Sequence, residues 1–139
     1  MNGEGCAFIF EDQDGVKVSS ETFRGKYIYL DIWATWCGPC CAEIPHLQKL
    51  EQKFATRNIA FVSISCDRNK EAWKKMIGEK QLGGIQLNGG ENSDFMKAYM
   101  IRGIPRFILL DREGKILDAD MSSPSDPRTA GVLEALEGM

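Results

Sequence analysis

The 139-residue sequence has a single histidine, His46. A metal site built from several imidazoles therefore lies beyond one copy of the chain. Cysteine is also scarce. Five residues, an odd number, are too few for a disulfide-dense scaffold of this length. No apolar run approaches the ~18 residues of a membrane-spanning helix. The longest, Tyr27–Trp33, is interrupted by Asp31. Positive charge is not in excess: 17 basic against 20 acidic residues give a net charge of −3, so nucleic acid is not an expected partner. Met1-Asn2-Gly3-Glu4-Gly5 lacks the basic segment and apolar stretch of a secretory leader. A cytoplasmic chain and the mature part of an exported one both begin this way. Internal repeats and low-complexity segments are absent.

What remains is ordinary globular composition, 43% apolar and 27% charged. One domain over residues 1–139 is expected. A chain of this size buries roughly 68–70% of its unfolded surface, so neither disulfide nor metal is needed for folding. Cys6–Phe10 reads as a strand, Asp12-Gln13-Asp14-Gly15 as a turn, and Val16–Val18 as its hairpin partner. Ser19–Phe23 suits one helical turn. Tyr27–Trp33, aromatic and β-branched, reads as a buried central strand. Ile44, Leu47, Leu50 and Phe54 recur at helical spacing and predict a helix from Pro39 to about Arg57, kinked at Pro45.

Further along, Ile59–Ser65 is the next strand, Asn69–Lys80 a helix stopped by Gly83-Gly84, and Ile85–Leu87 a short strand. Ser93–Tyr99 is a helix capped by Ser93 or Asn92. Pro105–Leu110 and Lys115–Leu117 flank a turn as a closing hairpin, and Arg128–Glu137 is the last helix. Strands alternating with helices predict an α/β sheet, a right-handed parallel crossover from Tyr27 to Ile64, and an antiparallel edge from the closing hairpin.

Trp36-Cys37-Gly38-Pro39-Cys40 falls between the central strand and the long helix. Cys37 then stands at a helix N-terminus, where free N–H groups and the helix dipole favour a thiolate. Cys40 follows one turn later, within disulfide reach. Pro39 occupies the first turn, where its missing N–H matters little. Half of a zinc site is the competing reading, but no second Cys-x-x-Cys exists, and Cys6, Cys66 and His46 are scattered. A purely structural disulfide would close too short a loop to stabilise much.

The segment Asp31-Ile32-Trp33-Ala34-Thr35-Trp36-Cys37-Gly38-Pro39-Cys40 resembles the active-site segment of thioredoxin-fold proteins. Tyr99-Met100-Ile101-Arg102-Gly103-Ile104-Pro105 resembles the segment that carries their cis-proline. The Phe8–Phe23 extension, Glu43-Ile44-Pro45 and the long stretch from Ser65 to Tyr99 make the chain most similar to TlpA/ResA-like thiol-disulfide oxidoreductases. The resemblance implies a three-layer thioredoxin-like sandwich: a central mixed sheet with helices on both faces, an N-terminal β-hairpin extension and a helical insertion. It implies reduction of protein disulfides through a mixed disulfide. Cys37 would be the attacking thiol, Cys40 the shielded resolving thiol, and Asp31 the buried carboxylate that takes a proton. Glu43 resembles the subgroup's active-site glutamate. Which of Asp31 and Glu43 handles the proton stays open, as do a water-facing Asp31 and a plain solvated Glu43. Trp36, Gly38, Pro39, Ile104, Pro105 and Arg106 would meet substrate, with Ile104 backbone opposite Cys37 and Pro105 cis. Trp33 reads as core and Trp36 as a wall beside the pair, although core burial would account for both.

The Gly38-Pro39 dipeptide resembles that of thioredoxin and favours a reductant over a strong oxidant. No cofactor and no metal are implied. The expected partners are disulfide-containing proteins and an upstream redox protein as electron donor. A monomer is expected. The resemblance points to a bacterial cell envelope or periplasm, with an export signal outside this sequence; a cytoplasmic location is the alternative. A peroxide reductase, a copper-handling domain with a Cys37-x-x-x-Cys41 pair, or a non-catalytic interaction domain are the other classes. Cys41 departs from the family, which usually has a polar residue there, and reads as a passive side chain. Cys6 and Cys66 read as bystanders. Arg106 stands where small polar residues are common; facing Cys37, it would favour the thiolate.

Overall fold

Strand β4, Tyr27–Trp33, organises the molecule in a computed structural model that describes Gly3–Glu4 and residues 7–139. All seven of its residues are buried. Its alternation sends Ile28, Leu30 and Ile32 to one face of the sheet and Tyr27 and Tyr29 to the other. The other strands are β1 Gly3–Glu4, β2 Ile9–Asp12, β3 Lys17–Ser19, β5 Ile59–Ser65, β6 Ile85–Asn88, β7 Arg106–Leu110 and β8 Lys115–Asp118. They form one eight-stranded sheet in the order β1-β8-β7-β4-β5-β6-β2-β3. Strands β4, β5 and β6 run parallel, and β7 pairs antiparallel on the other side of β4.

The helices are α1 Gly38–Ala42, α2 Ile44–Lys53, α3 Lys70–Lys80, α4 Ser93–Ala98 and α5 Thr129–Glu134. One face of the sheet is covered by α4, through Phe95, and by the turn Ser20–Phe23. Leu47 and Leu50 of α2 and Leu133 of α5 cover the other. This is the expected three-layer sandwich.

The differences from expectation have local causes. The helix anticipated from Pro39 to Arg57 is two helices with a break at Glu43. Pro45 has no N–H to offer the Cys41 carbonyl, so the ladder fails one residue before α2. The hairpin β7–β8 is not a sheet edge, because β1 pairs with the outer side of β8. The N-terminal hairpin β2–β3 joins the opposite end through β6. The short strand expected at Ile85–Leu87 is present as β6, one residue longer and parallel to β5. Helix α3 ends at Gln81, in the left-handed region at φ 52°, ahead of the two glycines. Asn92, through its side chain, caps α4. Strand β2 begins later than expected, and Cys6 lies outside the described residues.

Candidate active site

The chain leaves β4 at Trp33, turns through Ala34-Thr35-Trp36, and enters α1 with Cys37 as the N-cap. The Cys37 Sγ accepts the Cys40 N–H at 3.2 Å, and the Cys37 carbonyl accepts the Cys41 N–H at 3.0 Å. A helix-opening N–H therefore points at the sulfur on which negative charge would develop. Pro39 sits in the first turn. Cys37 and Cys40 are joined as a disulfide, with Cα atoms 5.2 Å apart. Both are nearly covered, 6% and 4% exposed, in a cluster with Trp33, Ala34, Ile44 and Trp73.

Asp67 holds the turn in place. It lies two residues beyond β5, and its carboxylate accepts the Thr35 N–H at 3.1 and 3.2 Å, the Thr35 hydroxyl at 2.6 Å and the Ser65 hydroxyl. Asp67 is itself buried. The reading of the sequence did not single it out. The signal was the pair Ser63 and Ser65 in an otherwise apolar strand, two polar side chains on one face.

Asp31 is on the face of β4 that α2 covers, opposite Ser63 of β5. It does not face water. Its one hydrogen bond among the described residues is from the Ser63 hydroxyl, at 3.2 Å. Burial, only partly offset by that bond, pushes its carboxyl from the ordinary 3.8 to about 7. Trp33 and Ile44 border both the cysteine cluster and the cavity that Asp31 lines. Glu43 is placed differently. Its two carboxylate oxygens accept the Ser125 N–H at 2.9 Å and the Ser125 hydroxyl at 2.6 Å, which ties the α1–α2 junction to the loop before α5.

The residues expected to meet substrate divide. Trp36 is 71% exposed, in contrast to Trp33 at 2%. Gly38 and Pro39 are exposed beside it. The Ile104–Pro105 bond is cis, and Ile104 packs against the cysteine cluster. Arg106, at the start of β7, points elsewhere. Its guanidinium donates to the Ala119 carbonyl, through Nε at 2.8 Å and through Nη2, and to the Met100 carbonyl at 3.2 Å. It clamps two loops together.

The Redoxin family matches residues 5–135. The chain belongs to the Redoxin family. Thiol-disulfide oxidoreductase ResA of Bacillus thuringiensis subsp. konkukian is 27% identical over 110 residues, covering 79% of this chain. This Redoxin spans 63% of that relative's length. A Bacteroides vulgatus protein, provisionally described as a thiol-disulfide oxidoreductase, is 54% identical in its solution structure, with a TM-score of 0.84 over 93% of this chain and 88% of its own. A thiol-disulfide oxidoreductase from Bacteroides fragilis is 32% identical, with a TM-score of 0.83 over 96% and 99%. The TlpA/ResA-like likeness read from the motifs is thus matched by sequence and by fold.

Two other thiols are shifted away from the thiolate form. Burial raises the Cys41 thiol, whose Sγ donates to the Thr35 carbonyl at 3.5 Å. Burial, then the Asp67 charge, pushes Cys66 up to about 11. Neither has the cap geometry of Cys37.

Proposed function

We propose that this chain is a thiol-disulfide oxidoreductase that reduces protein disulfides. The observation that carries the reading is the Cys37 sulfur capping α1 beside Cys40, with a buried carboxylate under the next helix, α2. In the reduced protein the Cys37 thiolate attacks a substrate disulfide, forming a Cys37–substrate bond and releasing one substrate thiolate. Cys40 then loses its proton to Asp31 and attacks the Cys37 sulfur. That step closes the Cys37–Cys40 disulfide and releases the second substrate thiolate. Asp31 is favoured over Glu43 as the base because the Glu43 carboxylate is engaged by Ser125, while a carboxyl titrating near 7 both accepts and gives up a proton at neutral pH.

Trp36, Gly38, Pro39, Ile104 and Pro105 form the surface that receives an extended stretch of substrate. All of the chemistry comes from one chain, in keeping with a monomer. Disulfide-containing proteins are the substrates, and a second redox protein returns two electrons to the pair. The ResA likeness favours the bacterial cell envelope. No helix among the described residues is long and apolar enough to cross a membrane.

Insulin reduction tests the reading. Cys37→Ser abolishes turnover, whereas Cys40→Ser accumulates a mixed disulfide through Cys37. Activity surviving Cys37→Ser overturns the mechanism. A redox titration near the about −120 mV of a strong oxidant overturns the direction.

A further inference from the structure

Asp31 is buried, with only 9% of its surface exposed, so a proton it takes needs a way out. A narrow cavity lies beneath α2, lined by Asp31, Trp33, Gln48, Glu51, Ser63 and Gln86. Two of the lining residues each carry a buried polar atom, Trp33 Nε1 and Gln86 Oε1, with no hydrogen-bond partner among the described residues. The rest of the lining is mostly apolar and the space small, so these unpaired groups and the two carboxyls are what could hold a single water there.

Glu51 alone of the two carboxylates also reaches outside. It borders a second, open groove with Gln52, Lys80 and Gly84 on the protein surface. Its carboxylate rests on the backbone of Gly83-Gly84: a Cβ at Gly84 would fall 2.6 Å from Oε2, and one at Gly83 3.1 Å from Oε1. It makes no hydrogen bond or ion pair among the described residues. Partial burial raises its carboxyl to about 7, near that of Asp31.

We infer that Glu51 is the proton exit of the active site, passing the Asp31 proton by way of water in the cavity to the surface groove. The inference rests on the proposed role of Asp31 as base. The balance is simple. Cys40–SH and Asp31 carboxylate give thiolate and Asp31–COOH. The proton moves through water to the Glu51 carboxylate and from there to bulk water, where it meets the released substrate thiolate. No electrons move in this transfer.

The surroundings leave Glu51 the best-placed carrier. From the α1–α2 junction Glu43 faces Asp31 but is bonded to Ser125. Tyr29, on the same face of β4, donates its hydroxyl to the Ser122 carbonyl. Ser63 of β5 and Gln86 of β6 are neutral, and Lys80 of α3 shares the groove with Glu51 without an ion pair. Glu51 is a positioning residue in this sense: it touches neither substrate nor sulfur.

The test is the single-turnover closure of the Cys37–Cys40 disulfide from a preformed Cys37–thionitrobenzoate mixed disulfide, followed by release of the chromophore. It compares the full chain, Glu51→Gln and Asp31→Asn between pH 6 and 8. A direct acid–base group contributes on the order of 10²–10⁴-fold, and a relay one step removed is expected to slow closure about 3–10-fold when lost. Glu51→Gln should show that loss, and imidazole or another small proton carrier should restore the rate. A structural defect would not respond to buffer. Carboxyl ¹³C titration should also find Asp31 titrating lower in Glu51→Gln, since the Glu51 charge no longer opposes its ionisation. Unchanged closure in Glu51→Gln, or a slow closure that no buffer restores, overturns the exit role. Unchanged closure in Asp31→Asn instead overturns the base on which it rests, so the two failures are told apart.

Discussion

Replacing Asp31 by Asn should make the protein more stable at alkaline pH while slowing the reaction. Burial lifts the Asp31 carboxyl from 3.8 to about 7. The folded chain therefore holds this proton more tightly than the unfolded chain. Between those two values the folded state carries more protons, so stability falls as pH rises, and it levels off above about pH 7. At about 1.4 kcal/mol per factor of ten, the gap amounts to about 4 kcal/mol. That is a large part of the 5–15 kcal/mol typical of a whole domain. The Asn side chain has nearly the same shape, is never charged, and still accepts the Ser63 hydroxyl. The wild type and the Asp31→Asn variant should be nearly equivalent only below about pH 4; at pH 5, where the unfolded chain has already given up this proton and the folded chain has not, the variant should lead by about 1.6 kcal/mol. At pH 8 the variant should be more stable by a few kcal/mol.

Urea unfolding of the oxidised protein, followed by tryptophan fluorescence at pH 5 and pH 8, measures both differences. Titrations shared by the two proteins cancel in the comparison. Glu51, raised by partial burial to about 7, remains in the variant and leaves a shallower slope of the same sign, reduced by its solvent contact. Stability curves that run parallel for the wild type and Asp31→Asn from pH 5 to pH 8 would refute the argument. They would mean that the carboxylate is solvated in place and has no raised affinity to hand to the chemistry.

Arg106→Met should remove the clamp between Met100 and Ala119, lowering stability by about 1–3 kcal/mol in thermal unfolding. The pH dependence of Cys37 alkylation should not move, and a rise of a full pH unit would restore Arg106 to the thiolate's surroundings. Asp67→Ala should strip the Thr35 N–H, the Thr35 hydroxyl and the Ser65 hydroxyl of their acceptor. A loss of about 2–3 kcal/mol is expected, together with slower insulin reduction as the Thr35–Trp36 turn loosens. Wild-type stability would show that the turn is held by other contacts.

The strands were legible in the sequence because buried runs leave little choice. Tyr27–Trp33 and Ile59–Ser65 fall where their apolar content puts them. The cysteine pair was legible for a related reason: a strand, a short turn and a helix start fix the position of Cys37 through backbone alone. Long side chains were not. Glu43 stands three residues after Cys40, which an unbroken helix would put on the same face, but the helix breaks at Glu43 itself, and the carboxylate turns to Ser125. Arg106 has reach enough for several targets, and the sequence does not rank two carbonyls above a thiolate.

Glu51 is the instructive omission. Ile44, Leu47, Leu50 and Phe54 mark the apolar face, yet Glu51 stands seven residues after Ile44 and four after Leu47, on that same inward face. An acid at such a position must be neutralised, bonded or given water. It has no bonding partner among the described residues, it lies between a buried carboxylate and an open groove, and burial raises its affinity for protons as it does its neighbour's. On the proposed exit path, two carboxyls that burial raises toward neutrality can pass a proton in either direction. The same path would serve the return of the proton when the disulfide is reduced again.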